Sequence, residues 1–177
     1  MNFLNLESKW QEIRQEGLTQ VKEAPLLDLK RDSGLDLLLP LNKYGWVRGW
    51  TDDYNWINFG LIYNYKYVLK NCEACPILFN FLQESVNLDK VFMLGFSLLK
   101  AGTEIPLHVD DDMSVQDFET FHLTLSAPSV GCELQVVDQI LPHKEGQILQ
   151  FKDIYPHCAR NKSTQDRLIL YGKIKIT

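Results

Sequence analysis

The second half of the chain is a succession of short apolar segments separated by polar turns, and this pattern limits the possible folds most strongly. Apolar runs occupy residues 91–99, 105–110, 118–125, 132–137, 147–151 and 168–176. Glycine, proline and asparagine mark the turns between them. Short strands at regular spacing are typical of antiparallel sandwiches and barrels. The sequence therefore predicts a mostly β structure for residues 90–177.

Residues 1–89 have a different character. Apolar residues three or four positions apart between Phe3 and Val21 predict an amphipathic helix. Aromatic and β-branched residues from 44 to 67 predict two strands, and Pro76 suits the start of a helix over 76–86. Residues 26–41 are expected to be irregular. We expect this helical and aromatic part to pack on the β barrel, within one domain spanning residues 1–177.

Composition narrows the class of protein. The 177 residues carry a net charge of −5 with no cluster of lysine and arginine, which argues against a nucleic-acid partner. No apolar run is long enough for a membrane span, and the N-terminus lacks a signal-peptide pattern. We therefore expect a cytoplasmic protein with a small-molecule or peptide substrate and no membrane partner; the sequence leaves the oligomeric state open.

The four cysteines are expected to be thiols, because disulfides are rare in the cytoplasm. Cys72 and Cys75 form a Cys-x-x-Cys motif just before Pro76. A zinc site would need a second ligand pair, and a thioredoxin-like redox pair would need a preceding strand in a βαβ unit. We interpret the motif as two partly buried thiols at the start of a helix.

His108 and Asp110 suggest a metal site. If residues 105–110 form a strand, their side chains leave the same face of the sheet. Asp111 and Asp112 are alternative ligands in principle, but Asp111 would point away from His108 in a continuing strand, so Asp110 is the preferred carboxylate. His157 follows Pro156 in a turn, where a histidine often has no function beyond a hydrogen bond. With His157 added, however, the set would make a two-histidine, one-carboxylate face on a metal, with positions left open for ligands.

Arg167 opens the last apolar segment and would share a face with Ile169 and Tyr171. An arginine at the start of such a strand is buried only when paired, and its planar fork fits a carboxylate with two hydrogen bonds. That carboxylate would come either from an acidic side chain of the protein or from a bound cosubstrate.

From about Trp50 to its end, the chain resembles the aspartyl/asparaginyl β-hydroxylase family. The similarity lies, in order, in residues 96–103, Pro106-x-His108, residues 121–125, Gly131-Cys132, residues 145–151, Tyr155-Pro-His157 and residues 166–170. The first fifty residues show no such match. The family consists of Fe(II)- and 2-oxoglutarate-dependent oxygenases with a double-stranded β-helix, also called a jelly roll or cupin-like fold, so the resemblance implies that fold here.

The resemblance also implies roles for individual residues. His108 and His157 would be iron ligands, and Arg167, with the Ser97 hydroxyl, would hold the distal carboxylate of 2-oxoglutarate. His122 would contact the carboxylate nearer the metal, and O2 would occupy the remaining coordination position.

Two departures from the family pattern matter. The founding animal enzymes have glycine at the position of Asp110 and bind iron through two histidines. Here an aspartate is present, so we expect His108, Asp110 and His157 together to be the metal-binding and catalytic set. Those enzymes also have an arginine at the position of Thr120, two residues before His122. The anchoring of the metal-proximal carboxylate is therefore left open.

The implied activity is a 2-oxoglutarate-dependent dioxygenase that hydroxylates an amino-acid or peptidyl side chain. The substrate-groove candidates are Arg48, Trp50, Tyr54 and Trp56, although a sheet face packed on the N-terminal helix is the favoured interpretation of this aromatic stretch, since aromatic residues dominate ordinary cores. Two alternatives remain: a non-catalytic jelly-roll module that binds a small acid, and a cupin-like metal enzyme that does not use 2-oxoglutarate. His143, in a polar turn, is expected to be exposed and without a role.

Overall fold

A computed structural model describes residues 3–30, 39, 42–51, 53–110 and 117–176 of the chain. Within these residues, the α-helices are α1 (Phe3–Ser8), α2 (Trp10–Glu23), α3 (Leu69–Glu73) and α4 (Pro76–Ser85), and a 3-10 turn covers Leu88–Lys90. The strands are β1 (Leu26–Lys30), β2 (Trp46–Arg48), β3 (Trp56–Tyr63), β4 (Lys66–Tyr67), β5 (Val91–Leu99), β6 (Thr103–His108), β7 (Phe118–Ser126), β8 (Cys132–Val136), β9 (Gln139–Pro142), β10 (Ile148–Phe151), β11 (His157–Asn161) and β12 (Arg167–Lys175). None of the described helices is long and apolar enough to cross a membrane.

The strands form two sheets. The larger has the order β1-β2-β3-β5-β12-β7-β10, with β4 paired to β3, and the smaller has the order β6-β11-β8-β9. All pairings are antiparallel except that of β1 with β2. The chain from β5 to β12 passes back and forth between the two sheets, as in a jelly roll. The predicted mostly β, jelly-roll fold is confirmed.

The last strand has two chemically different faces, as its alternation predicts. Leu168 and Leu170 belong to the core beneath the helices, whereas Arg167, Ile169 and Tyr171 line a cavity between the sheets. The helical layer can approach closely because α2 carries Gly17: a Cβ there would lie 3.0 Å from the Leu168 side chain. The larger sheet therefore uses one face for the core and the other for the cavity.

The helical layer is tied together by one carboxylate. Glu16 of α2 accepts hydrogen bonds from the backbone N–H groups of Ile77 and Leu78, at 2.6 and 2.9 Å. These donors lie in the first turn of α4, where they have no partner within the helix. The bonds fix α4 on α2, and Pro76 occupies the predicted first position of the helix.

Several boundaries differ from the sequence prediction. The N-terminal helix is interrupted at Lys9, and β1 occupies residues 26–30, in the stretch expected to be irregular; residues 31–38 lie outside the described part of the chain. The predicted turn at His157 is wrong, because this residue opens β11. Strand β9 was not predicted either, since its four residues alternate weakly between loops.

The Cys-x-x-Cys thiols are buried, as predicted. Burial raises the pKa of the Cys72 thiol to about 12 and also raises that of Cys75. The Cys72 thiol donates to the backbone carbonyl of Leu61 at 3.2 Å. A redox-active cysteine needs a lowered thiol pKa, so this environment favours the structural interpretation.

Candidate functional site

The two sheets enclose a cavity of about 340 Å³. Polar residues on its wall come from both sheets and from the loops beside β6 and β11. They are Asn58, Ser97, His108, Asp110, Thr120, His122, Asp153, His157, Arg167 and Lys173. Apolar and aromatic residues complete the wall, including Trp50, Trp56, Tyr63, Phe92, Met93 and Phe151. A mostly apolar cavity with a few convergent polar groups is typical of a small-molecule site.

His108, Asp110 and His157 meet at this cavity. One potential ligand atom from each residue lies within 4.8 Å of the other two. His108 and His157 are direct cross-strand partners of β6 and β11, and their ring centroids are 4.1 Å apart. The Nε2 atom of His108 lies 3.7 Å from Oδ1 of Asp110. The three side chains predicted from sequence are therefore brought together.

Asp110 reaches this position for a reason other than the predicted one. Strand β6 ends at His108, so the alternation of side chains along a strand does not extend to Asp110. Instead, the backbone N–H of Asp110 donates to the carbonyl of Asp153 at 3.1 Å. This bond ties the segment after β6 to the loop before β11. Asp111 and Asp112 lie outside the described residues.

Backbone carbonyls set the orientation of both imidazoles. Nδ1 of His108 lies 2.7 Å from the carbonyl of Pro106, and Nδ1 of His157 lies 2.9 Å from the carbonyl of Tyr155. A carbonyl only accepts, so Nδ1 carries the proton in each ring and the Nε2 lone pair remains available for a metal. Burial lowers the pKa of His157, which favours its neutral, metal-binding form. Two imidazoles and one carboxylate fit an iron-type divalent metal.

Arg167 is buried in the cavity wall, and no carboxylate in the described part of the chain forms an ion pair with it. Its side chain is 1% exposed, and Nε and Nη1 have no hydrogen-bond partner among the described residues. Burial lowers the pKa of its guanidinium to about 10. A buried charge is normally paired, because desolvation without compensation is costly. Of the two partners considered from sequence, no carboxylate of the described residues forms an ion pair with Arg167, and a carboxylate brought by a ligand fits.

Two residues on the neighbouring strands extend the polar surface near Arg167. The Ser97 hydroxyl accepts a hydrogen bond from the Trp56 indole at 2.9 Å, which leaves its own O–H free to donate. Asn58 of β3 is opposite Ser97, is 1% exposed, and has no partner for its side-chain amide among the described residues. Asn58 was missed from sequence, although an amide within the apolar run Trp56–Tyr63 was a signal.

His122 lies in the cavity wall, as the family resemblance implies, but its neighbour corrects another prediction. His143 is 3% exposed rather than solvent-exposed. Its Nε2 lies 3.3 Å from Nδ1 of His122, and the two ring planes are inclined by 16°. Burial is the main cause that lowers the pKa of both rings well below 6.5; the charge of Arg167 adds to it for His143, and His143, Arg167 and His157 add to it for His122. Both imidazoles are therefore neutral near pH 7. The turn containing His143 folds inward because its backbone N–H bonds to Cys132 of β8.

Beside the cluster of His108, Asp110 and His157, which could hold a metal and is called the metal-ligand cluster below, lies an ion pair that was also missed from sequence. Nζ of Lys173 lies 3.0 Å from Oδ2 of Asp153 and 4.0 Å from Oδ2 of Asp110. Thr120 donates its hydroxyl to the same Asp153 oxygen at 2.7 Å. Lys173 is opposite Thr120 in the pairing of β12 with β7. The signal in the sequence was its position on the same face of the strand as Arg167, six residues earlier.

The four groove candidates divide into two pairs. Trp50 and Trp56 line the cavity, and the Trp50 ring lies 5.3 Å from that of His108. Arg48 and Tyr54 are not among the lining residues. Arg48 instead donates to Asp28 at 2.8 Å, and its guanidinium lies 5.0 Å from the centre of the Tyr54 ring. These two residues bind each other and β1 outside the cavity.

Comparison with protein families finds a match to the family described as aspartyl/asparaginyl beta-hydroxylase over residues 7–175. The match thus begins far earlier than the resemblance seen from Trp50 onward. No curated protein matches the sequence significantly.

Among solved structures, the chain is similar to the cupin domain of Schizosaccharomyces pombe Cnp3, with a TM-score of 0.46 and 10% identity over 70% of this chain and 66% of that one. KdgF from a Halomonas species gives a TM-score of 0.45 and 7% identity over 70% and 82% of the two chains. A predicted oxalate decarboxylase from Thermotoga maritima gives a TM-score of 0.41 and 16% identity, over 49% of this chain and 69% of that one.

Proposed function

The chain belongs to the aspartyl/asparaginyl β-hydroxylase family, and we propose that it is an Fe(II)- and 2-oxoglutarate-dependent dioxygenase that hydroxylates an amino-acid or peptidyl side chain. The observation that carries this proposal is the pairing of two features in one cavity. A cluster of two imidazoles and a carboxylate borders the same cavity as a buried arginine, which pairs with no carboxylate among the described residues.

His108, Asp110 and His157 would hold Fe(II) on one face, which leaves coordination positions for ligands. The carbonyls of Pro106 and Tyr155 keep each Nδ1 protonated and thereby present Nε2 to the metal. Because a metal needs neutral imidazoles, metal affinity should fall as the pH drops through the histidine range. Asp110 adds a negative charge that offsets part of the charge of the metal.

Arg167 would hold the distal carboxylate of 2-oxoglutarate, because its planar fork matches a carboxylate and has none as a partner among the residues that the structure describes. Ser97 has a hydroxyl proton free to donate to the same group. The neutral His122 would meet the carboxylate nearer the metal, since it lies on the cavity wall and packs on Phe151, which in turn contacts His157.

Bound Fe(II), 2-oxoglutarate and O2 supply the oxidative chemistry, in which one oxygen atom enters succinate with release of CO2 and the other enters a substrate C–H bond. The protein contributes position and apolar cover. The Trp50 ring lies against His108 and the Phe151 ring against His157, so aromatic surface covers part of the cluster and would limit the access of water there.

The proposal is tested by incubating purified protein with Fe(II), 2-oxoglutarate and ascorbate and measuring succinate. We expect slow succinate formation even without the substrate. His108→Ala should lose both metal binding and succinate formation, whereas Lys175→Ala, an exposed residue of β12, should keep both. The absence of succinate from the unmodified protein would count against a 2-oxoglutarate oxygenase.

A thermal-shift experiment separates this activity from its alternatives. For the oxygenase, 2-oxoglutarate should raise the melting temperature only when a divalent metal is present, because both Arg167 and the metal contribute to its binding. Equal stabilisation by other small acids without metal would favour a non-catalytic binding module. Metal binding without any response to 2-oxoglutarate would favour a cupin-like enzyme of another kind.

A further inference from the structure

The cavity contains a second charged feature beside the metal-ligand cluster, formed by Asp153 and Lys173. The two side chains are 2% and 6% exposed, and their charged atoms lie 3.0 Å apart. They face the same space as the metal-ligand cluster, since Lys173 is 4.0 Å from Asp110. The proposed binding of 2-oxoglutarate uses Arg167 and the metal, and so leaves this ion pair without an assigned role.

Asp153 has acceptor capacity that the protein does not use. Lys173 and the Thr120 hydroxyl both bond to Oδ2, whereas Oδ1 has no hydrogen-bond partner among the described residues. A carboxylate offers about four acceptor sites, and a buried acceptor without a donor is unfavourable. Asp153 borders the cavity, so a ligand that supplies an N–H donor would satisfy it.

Lys173 offers the complementary charge. Apart from Arg167, it is the one lysine or arginine among the described residues that line the cavity. The Lys173 ammonium contacts Asp153 and lies near Asp110, and a ligand carboxylate that reaches it would add a further charged contact. Asp153 in turn holds the ammonium at a fixed place beside Asp110, which a flexible lysine would not maintain alone.

The walls around this ion pair are apolar. Lys173 is opposite Met93 in the pairing of β12 with β5, and Met93 is opposite Tyr63 in the pairing of β5 with β3. The Tyr63 and Phe92 rings pack with centroids 5.9 Å apart, and all three residues line the cavity. A ligand held by the charges would thus place an uncharged side chain against this surface.

We propose that Asp153 and Lys173 form the substrate subsite and bind a free α-amino acid with an uncharged side chain. The ammonium of the amino acid bonds Asp153, and its carboxylate bonds Lys173. In an α-amino acid these two groups are attached to one carbon, which matches opposite charges 3.0 Å apart. The volume of about 340 Å³ is at the low end for ligand pockets and suits two small molecules. This inference rests on the proposed function and names its substrate class.

The test is calorimetric titration of the protein loaded anaerobically with Fe(II) and 2-oxoglutarate, so that no turnover occurs. The probes are L-alanine, L-valine, L-leucine, L-methionine, L-proline and L-phenylalanine, each compared with its N-acetyl and amide derivatives. We expect at least one free amino acid to bind. Its N-acetyl and amide derivatives should each have a Kd at least about tenfold higher, because each derivative loses one charged contact.

Variants link this binding to the two residues. Asp153→Asn and Lys173→Met should each raise the Kd of the amino acid by at least about tenfold, while the Kd of 2-oxoglutarate changes less than about twofold. Lys175→Met, on the same strand, is the matched control and should bind as the unmodified protein does. The double variant Asp153→Asn/Lys173→Met removes both charges together, so that neither is left buried and unpaired if a single variant fails to fold.

Three results would overturn the inference. The first is that the N-acetyl and amide derivatives bind as tightly as the free amino acids. The second is that no free amino acid binds to protein that does bind 2-oxoglutarate. The third is that the variants lose affinity for 2-oxoglutarate while their affinity for the amino acid is unchanged. A failure of the unmodified protein to bind 2-oxoglutarate with metal would instead contradict the proposed function itself, and is measured first.

Discussion

Replacement of Arg167 by methionine should stabilise the ligand-free protein, which is the opposite of the usual effect of a core substitution. Burial lowers the pKa of this guanidinium from 12.5 to about 10. Each pKa unit corresponds to about 1.4 kcal/mol, so the charged side chain costs about 3 kcal/mol of folding free energy near pH 7. The cost is present at every pH below the folded pKa and disappears only as the pH rises above it.

Methionine keeps most of the length of the side chain and removes the charge. Some packing of the guanidinium is lost, so we expect the free energy of unfolding of metal-free Arg167→Met to rise by about 1–3 kcal/mol, measured by urea denaturation in the presence of EDTA. Residues that bind ligands often reduce stability in this way. The same variant should lose the stabilisation by 2-oxoglutarate plus metal, which is about 2.7 kcal/mol at a hundredfold excess over Kd.

Arg160→Met is the matched control. Arg160 lies on β11, donates to Gln135 at 2.7 Å, and has Glu104 and Glu133 each at 3.5 Å. Because this arginine is paired and partly exposed, its loss should lower stability by about 0–1 kcal/mol. If Arg167→Met were instead less stable than the unmodified protein, the guanidinium would have a partner that stabilises its charge, and the reasoning about an absent carboxylate would be refuted.

Three further predictions concern the metal, pH and close packing. Asp110→Gly should weaken divalent-metal affinity at least about tenfold in calorimetric titration; unchanged affinity would mean that two histidines suffice. Burial holds the pKa of His143 well below 6.5, so the unfolded chain binds a proton that the folded protein excludes, and stability falls below that pH by up to about 1.4 kcal/mol per unit. In metal-free protein, the free energy of unfolding should therefore decline less steeply between about pH 7 and 5 for His143→Gln than for the control Lys144→Gln. Equal slopes of stability against pH for the two variants would contradict a buried neutral imidazole. A Cβ at Gly95 would lie 2.4 Å from the Phe59 carbonyl, so Gly95→Ala should destabilise by roughly 3 kcal/mol. Gly102→Ala, with φ +72° and no atom within 4 Å, should cost about 1 kcal/mol by urea denaturation, and an equal loss in both would refute the packing argument.

The elements that follow a local pattern were predicted well. Strand β5 has the predicted bounds, and β12 begins one residue earlier than its apolar run, at Arg167. The two faces of β12 could also be predicted, because the period of two in a strand is a property of the backbone. The short strand β9 was missed, since four residues without strict alternation leave no periodic signal.

The cluster of His108, Asp110 and His157 shows how side chains can meet for a reason other than the predicted one. His108 and His157 were chosen by spacing and family resemblance, and the register of β6 with β11 makes them neighbours. Asp110 was chosen by strand alternation, but a backbone hydrogen bond to Asp153 positions it. That bond joins segments more than forty residues apart, so it leaves no trace in the local sequence.

The sequence by itself determined the fold class, the apolar and polar faces of the strands, and the choice of His108, His157 and Arg167 as candidate site residues, because these depend on local periodicity or on motifs. Tertiary structure decided which polar residues share the cavity. It placed His143 inside, turned Arg48 toward Asp28 outside, and brought Lys173 to Asp153 and Asn58 to Ser97. The physical reason is that these neighbours arise from pairing between distant strands and from the direction of loops, which are set by the packing of the whole chain.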